Sequence, residues 1–550
     1  VRRVSFPWRM AAAVAAILAC AIPGFGQEPM GIVRFAPLSQ WESVLDGIED
    51  VSQDGAVGKV LAPARIGLAM ARGGGIDDAR PWGIACLPLD DNAGVVLIVP
   101  VQDLDRLHQT ARPAIEELEE LDGGVYQVKM GGRTLYCLPG DGWLFVSEKE
   151  GAVRQVPGDP SPWLDALDGS ALIAVRANLG AVPRAQAEMV KEWFHEQASE
   201  AMRQGPHESD AMYELRKAIA QRLDATIWDI LGQTQTCDFS IRWDRDAGKV
   251  VISTVWKAQE GSDLAAWMQK QEGLVSPLPV LKTHPGAVFY LGWNYLFPAP
   301  SQVELAAAGE VIRGELYGQL DQNLSDADEA EFAKGMVDDL LRLLGQAIES
   351  GQSEGAFALL TRDENLYLVA AGRVPDPYGV EEFAEKVVEA IQAKAPSNAV
   401  SVEPFAFANE DSQIHLLTLT LPEKAQRNPA VERMFGTKIE VAMLVSDEYV
   451  AWVIGKDAVP MLRDLAEQAE AHGPQTSPAV EMQVGIEKAV AYALQLAPEH
   501  VKEKLSAVLD LLSETSDEEQ IRVTVDCHGS DVRKTVEIDQ AVFQIPQAVQ

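Results

Sequence analysis

One pattern, apolar alternation broken by an acidic turn, occurs twice in this chain and restricts the fold more than any other feature of the sequence. Gly83-Ile84-Ala85-Cys86-Leu87-Pro88, an Asp90-Asp91-Asn92 turn and then Val95 to Val101 read as a hairpin running into a helix that begins near Asp103. Gly355-Ala356-Phe357-Ala358-Leu359-Leu360, an Arg362-Asp363-Glu364-Asn365 turn and then Leu366 to Ala370 repeat that plan ahead of a helix expected from Val380 to Ile391. Further partners follow in the same order. Trp143 to Val153 resembles Val450 to Val459, and Gly169 to Val175 resembles Pro478 to Val484. Two closing hairpins, Phe239 to Trp256 and Ile521 to Ile538, turn at Asp244–Gly248 and Asp526–Ser530. The partners are offset by about 272, 306, 308 and 282 positions, so insertions separate the copies and the repeat is a degenerate duplication.

A chain of 550 residues exceeds the size at which one core stops growing. The expected organisation is a leader over residues 1–26, a first half over 27–275 and a second half over 276–550, with a further subdivision near 394–405. Gly273, Ser276, Pro277, Pro279, His284 and Pro285 interrupt helical continuation at the central break. Long helices are expected over Gln186 to Arg203 and Ser209 to Leu231. Met189, Trp193, Met212, Leu215, Ile219, Leu223, Ile227 and Ile230 recur there at the spacing of a buried face. Ser325-Asp326-Ala327-Asp328 predicts a capped start to a helix that buries Phe332, Met336, Leu340, Leu343 and Ile348. The fold class that follows is α+β, with duplicated antiparallel hairpins and sheets covered by long amphipathic helices.

Arg2, Arg3 and Arg9 precede an apolar run from Met10 to Ile22, and Gly24-Phe25-Gly26 follows before Gln27. This is the layout of a secretory signal peptide, and the run is short for a membrane span. Ile17-Leu18-Ala19-Cys20 also offers a lipoprotein-type processing site, so a lipid-anchored envelope protein is the alternative to a soluble periplasmic or extracellular one. With 82 Asp+Glu against 46 Lys+Arg and a formal charge of −36, nucleic acid and anionic membrane surfaces are unsuitable partners. Beyond Cys20 the cysteines are Cys86, Cys137, Cys237 and Cys527, too sparse for a disulfide scaffold and without a Cys-x-x-Cys. Cys86 and Cys137 each open a Cys-Leu-Pro at a strand end. They are expected either to bridge in an oxidising compartment or to remain two buried thiols.

The search for chemistry returns fragments. His195-Glu196 and His207-Glu208 flank a helix break without forming His-Glu-x-x-His, and His528 beside Cys527 lies at a hairpin turn. There is no Gly-x-Ser-x-Gly elbow, and Gly169-Ser170 opens a strand with no paired base. The acidic pairs Asp77-Asp78, Asp90-Asp91 and Asp338-Asp339 are adjacent, and adjacent side chains point apart on a strand or helix. Gly73-Gly74-Gly75 runs into Ile76-Asp77-Asp78, an acidic lip that repels phosphate. Asp244-x-Asp246 and Asp321-x-Asn323 are incomplete calcium-loop spacings. Trp293, Tyr295 and Phe297 alternate after Val288-Phe289-Tyr290, as in a strand that buries one aromatic face or presents a recognition ridge.

The run Ile32-Val33-Arg34-Phe35-Ala36-Pro37-Leu38-Ser39, followed by Gly75-Ile76-Asp77-Asp78-Ala79-Arg80-Pro81-Trp82-Gly83 and by Val99-Pro100-Val101 ahead of Asp103, resembles a group of uncharacterised exported proteins from planctomycete bacteria. The resemblance covers the first third of the chain. It implies export and residence in the cell envelope, and it supplies no reaction, cofactor or catalytic residue. Within it Arg80 is expected to pair with Asp77 or Asp78 while Trp82 anchors the hairpin.

The expected function is therefore that of an exported binding or structural protein without catalysis, whose partner is an envelope protein, a peptide or a glycan. No catalytic, cofactor or metal residue is assigned. The alternative is a periplasmic hydrolase or metal-assisted enzyme using His195 or His207 in a cleft between the halves. Mass analysis of the mature N-terminus tests the export reading. A peptide starting at Gln27 is the expected product, a diacylated Cys20 would make the chain a lipoprotein, and an intact Arg2–Arg9 segment would remove the signal-peptide assignment.

Overall fold

The computed structural model describes residues 29–51, 65, 68–89, 93–182, 188, 191, 192, 204, 210–324, 326–362, 365–394, 400–408, 412–422, 431, 435–513, 521–543 and 545. The chain has a mixed α+β fold with extensive antiparallel sheet. It divides into two compact units, one of residues 1–203, 224–265 and 530–535, the other of 204–223, 266–529 and 536–550. His195, His207, the Asp90–Asn92 turn, the segment before Gln27 and most of the helix expected over 186–203 lie outside the described residues.

The first unit carries strands β1 (Gly31–Phe35), β2 (Trp82–Pro88), β3 (Ala93–Pro100), β4 (Ile115–Glu120), β5 (Tyr126–Met130), β6 (Arg133–Gly140), β7 (Trp143–Ser147), β8 (Ile173–Asn178), β9 (Thr234–Asp244) and β10 (Lys249–Ala258). They pair in the order β10-β9-β8-β1-β2-β3-β7-β6-β5-β4, each pair antiparallel. Ile32, Ala85, Leu87, Val96, Ile98, Trp143, Phe145 and Ala174 alternate along these strands onto one face. Ala152, Val153 and Leu164, from the short helices Glu150–Val153 and Ser161–Asp165, close that core. Arg34 points to the same face, 6% exposed, and its guanidinium donates to the carbonyls of Ala171 at 3.2 Å and Gly169 at 3.1 Å. A permanently charged group is tolerated here because it ties the loop before β8 to the sheet.

The second unit carries β11 (Val275–Ser276), β12 (Ala287–Leu296), β13 (Gln352–Arg362), β14 (Asn365–Arg373), β15 (Val400–Ala408), β16 (Ser412–Thr420), β17 (Lys438–Ser446), β18 (Tyr449–Gly455), β19 (Gln475–Thr476), β20 (Val480–Val484) and β21 (Ile521–His528). β11 and β19 form a two-stranded pair, and the rest run β21-β20-β12-β13-β14-β18-β17-β16-β15, again antiparallel. Position for position, this is the order of β9-β8-β1-β2-β3-β7-β6-β5-β4 in the first unit. The core of the second unit joins Tyr290, Ala356, Ala358, Leu360, Val369 and Val453 of the sheet to Val280 and Leu281 of the helix Val280–Thr283 and to Met461, Leu462 and Leu465 of the helix Ala458–His472. The segment from Val400, near the further subdivision expected at 394–405, pairs with β16 as β15, with a register irregularity between Glu403 and Phe407 where Phe405 takes φ +54°.

The phase of the hairpin match differs from the sequence reading. Ala85 and Leu87 face the first core, and Ala356, Ala358 and Leu360 face the second. Matching faces therefore needs an odd offset, whereas about 272 would set inward Ala85 against the outward, half-buried Phe357. A slip of one residue turns every side chain over, and residue types on a strand covered on both faces do not fix that phase.

The expected capped helix start is present, and two further expectations are corrected. The helix Ala327–Glu349 is capped by Asp326, whose carboxylate accepts the amides of Asp328 at 2.9 Å and Glu329 at 3.2 Å; Ser325 lies outside the described residues. Along that helix the expected core face is not covered: Phe332 and Leu340 are exposed, and Ala330 is its one buried residue among those described. Cys86 and Cys137 cannot bridge. β2 and β6 are separated by β3 and β7, three ladder steps of roughly 14 Å in total, against a disulfide Cα separation of about 4.4–6.8 Å.

Burial pushes the thiol of Cys137 up to about 11, and burial with the Asp238 charge pushes that of Cys237 up to about 12, so both stay protonated near neutrality. Alkylation of native protein at pH 8 is expected to leave Cys137 and Cys237 unmodified, while alkylation after denaturation without reductant labels Cys86, Cys137, Cys237 and Cys527 alike. Recovery of a Cys86–Cys137 cross-linked peptide by mass spectrometry would contradict the strand order.

Candidate functional site

Strand β20 runs against the usual rule of burial. Val480, Met482 and Val484 alternate with Glu481 and Gln483, and the simplest reading puts the apolar set inside. In the structure Glu481 and Gln483 are the buried pair, 2% and 6% exposed, while the three apolar residues are half-buried. Glu481 lies opposite Gly292 of β12 and Gln483 opposite Tyr290, so both share the core face with Tyr290. Gly292 is required at that point, since a Cβ there would run into the hydroxyl and ring of Tyr290 folded over it.

Both oxygens of Glu481 are occupied. Oε1 accepts from Gln483 Nε2 at 2.9 Å and from Arg522 Nη2 at 2.8 Å, and Oε2 accepts from Lys282 Nζ at 2.7 Å. Arg522 reaches in from β21, directly opposite Gln483, and Lys282 from the helix that follows Pro277 and Pro279. Above this cluster is a cavity of about 350 Å³ lined by Lys282, His284, Tyr290, Gln483, Lys488 and Arg522. The volume suits a small ligand. Burial lowers the pKa of His284, with the Arg362 and Lys488 charges acting the same way against Asp464. Its Nδ1 accepts the Gly286 amide at 3.1 Å, as a neutral ring does. The hydroxyl of Thr283, also on the cavity wall, is donated to the Val280 carbonyl at 3.0 Å. Burial, reinforced by Glu481 and Glu354, drives the Tyr290 phenol far above its ordinary pKa, so it remains a neutral hydroxyl. This lining can hold polar and negatively charged groups.

A second buried carboxylate, Glu354, stands on β13 opposite Asn294. Its Oε1 accepts the Tyr449 hydroxyl at 2.9 Å and its Oε2 is buried with no partner among the described residues. A third polar pair, His415 on β16 and Glu381 on the helix Pro377–Lys394, stands 3.0 Å apart beside Phe405. An apolar groove of about 980 Å³ runs between the helices Ala327–Glu349 and Pro377–Lys394, lined by Phe332, Met336, Val387 and Ile391 among others.

The residues singled out in the sequence are not gathered anywhere. His108, His472, His500 and His528 are exposed and separate, and no group of three or more His, Cys, Asp or Glu positioned for a metal occurs among the described residues. Gly73-Gly74-Gly75 closes a helix. Gly74 donates to the Ala71 carbonyl, and Gly75, at φ +94°, receives the amides of Gln102 and Asp103. The acidic pairs hold cations: Asp77 takes Arg80 at 2.8 Å, Asp78 takes Arg72 at 2.6 Å, Asp338 takes Arg313 at 3.2 Å and Asp339 takes Lys386 at 2.6 Å. Asp244 caps its own turn through the Ala247 amide, and Asp321 pairs with Lys334 at 2.6 Å. Arg80 also lies 4.6 Å above the Trp143 ring, and Trp82 stacks on Phe35 at 4.1 Å, so both are architectural.

Of the aromatic run, Trp293 donates to Ser353 at 3.0 Å with its ring against Gly355, and Tyr295 meets Phe297 edge-on at 5.2 Å. These rings are half-buried on the sheet face opposite Tyr290. Lys282, Glu481, Lys488 and Arg522 were missed by sequence reasoning. The detectable signal was the pair Glu481 and Gln483 within an otherwise apolar strand.

No family model, no characterised protein and no solved structure matches this chain.

Because the Tyr449 hydroxyl is the one donor to Glu354 among the described residues, Tyr449→Phe leaves a buried carboxylate unanswered. The expected loss is roughly 1–3 kcal/mol in urea denaturation. Glu354→Gln combined with Tyr449→Phe is expected to lose less than the two single changes added together, and strict additivity would show that the pair does not interact.

Proposed function

We propose that this chain is an exported, non-catalytic binding protein of the bacterial cell envelope, formed by duplication of one antiparallel scaffold, with a small polar ligand held in the cavity of its second unit. The Arg-led apolar segment before Gln27 and the resemblance of the first third to planctomycete exported proteins support export and envelope residence. The equal strand order of the two units supports duplication. No helix among the described residues is long and apolar enough to cross a membrane.

The observation that carries the binding role is the inverted strand β20. Burying Glu481 and Gln483 where Val480 and Met482 could have gone sacrifices apolar burial in favour of a polar network, and a fold alone does not need that exchange. Such local departures from the rules of packing gather at sites of function. Of the partner classes expected, an envelope protein, a peptide or a glycan, the cavity has room for one small terminal group.

The test is a ligand screen followed by thermal unfolding and calorimetry on the mature protein. Wild type is expected to rise in Tm with a polar ligand, by an amount that grows with its concentration. Val288→Trp, which places an indole at the cavity wall, is expected to abolish that rise while the protein still unfolds cooperatively. A ligand that stabilises wild type and Val288→Trp equally would place binding elsewhere and remove the site.

A further inference from the structure

The helices Ala327–Glu349 and Pro377–Lys394 of the second unit leave open an apolar surface that the sheet core does not use. The first helix runs into β13 and the second follows β14, so the β13–β14 hairpin sets them side by side. Two ion pairs brace them, Asp339 with Lys386 at 2.6 Å and Arg342 with Asp376 at 3.0 Å. Asp376 also accepts the Gly379 amide at 2.9 Å, which ties the start of the second helix to the same bridge. Between the helices runs the groove of about 980 Å³, walled by Phe332, Ala333, Met336, Val387, Ala390 and Ile391.

Phe332, Met336, Leu340 and Leu344 recur at intervals of four, so they form one ridge along the first helix. Phe332, Leu340 and Leu344 are 44%, 42% and 50% exposed, so nothing in the described chain covers that ridge. At 1.5 Å per residue it spans about 18 Å, a little over three helical turns. An apolar ridge of this length beside an apolar groove marks a contact surface for another molecule. Its shape suits an α-helix. A row of residues four apart packs into the groove of a facing helix, and the groove beside the row receives that helix's own apolar side chains.

Charge decides which helix fits. The charged residues lining the groove, Glu329 and Glu389, are both acids, and no cation lines it among the described residues. Glu382 stands two turns before Glu389 on the same side of its helix, and both are exposed. Lys334, Arg342 and Lys386, the cations of the two helices whose side chains are described, hold Asp321, Asp376 and Asp339. A second copy would set the same acidic rim, and a net charge of −36, against its like. We propose that the groove docks a basic amphipathic helix of another protein, its apolar stripe laid against Phe332, Met336, Leu340 and Leu344 and its lysines or arginines facing Glu382 and Glu389. The groove shares no lining residue with the polar cavity at β20, so this contact stands apart from the binding role proposed there.

Fluorescence anisotropy of the mature protein with a labelled Leu/Lys peptide of about 18 residues, patterned with Leu along one helical face, tests the proposal. A scrambled peptide of the same composition and a patterned Leu/Glu peptide are the controls. Saturable binding of the patterned Lys peptide is expected, weaker as salt rises. The scrambled peptide carries the same charge and is expected to bind roughly tenfold more weakly, which separates docking from general attraction to an acidic protein. Phe332→Gln with Leu340→Gln keeps the charge of the protein and alters side chains already open to water; a loss of roughly tenfold is expected. Should that double variant fail to fold, Ile391→Gln on the opposite wall decides the matter. Glu382→Gln with Glu389→Gln is expected to weaken binding several-fold and to flatten its salt dependence. Equal affinity for patterned and scrambled Lys peptides, unchanged affinity in the groove variants, or tighter binding of the Leu/Glu peptide would each overturn the proposal. So would a dimer in sedimentation that Phe332→Gln with Leu340→Gln abolishes, since a second copy would then occupy the groove.

Discussion

Burial of the Glu481 carboxylate obliges the second unit to bring separate segments to one point. An ionised carboxylate removed from water is tolerated only when its oxygens are answered, and here three donors answer them: Lys282, Gln483 and Arg522. Those donors come from the helix Val280–Thr283, from β20 itself and from β21. Meeting this one requirement fixes the helix over the sheet, seats Val280 and Leu281 against Tyr290, and sets the wall of the cavity. Loss of any donor would leave charge uncompensated in the core, so polar network and apolar packing depend on each other.

The scaffold beneath it is economical in its rules. In both units the antiparallel ladder follows one strand order, helices close one face, and inward positions alternate with outward ones. Each unit also admits charge to its core face, but in different forms. The first places Arg34 against backbone carbonyls and sets Arg176 against Asp238; the second buries two carboxylates, Glu481 held by Lys282 and Arg522 and Glu354 held by the Tyr449 hydroxyl. One architecture thus carries two different electrostatic arrangements, because side chains on a common scaffold vary independently of its strand order.

Much of the architecture was legible in the sequence, because hairpins announce themselves locally. The Asp- and Asn-rich turns between apolar runs marked β2 with β3 and β13 with β14, and Arg80 and Trp82 took the structural roles their neighbours implied. The phase of the strand match escaped, since Phe357 and Ala358 are both apolar and either could face inward. Cys86 and Cys137 share a tripeptide but not a neighbourhood, because similarity in sequence says nothing of how many strands intervene. Phe332 and Leu340 have the spacing of a buried face, yet whether a helix stripe is covered depends on what packs over it.

The sequence by itself determined the α+β class, the order of hairpins and helices along the chain, and the strongly acidic net charge. Those properties depend on residue type and local periodicity, which are written along the chain. Tertiary structure alone decided the site. Lys282, Glu481, Lys488 and Arg522 belong to segments as many as 240 positions apart, and their chemistry exists only once β20 lies between β12 and β21 with its polar residues turned inward. Pairing between strands is a long-range choice made by the summed backbone and core energies of the whole sheet, so no local pattern could state which charges would meet.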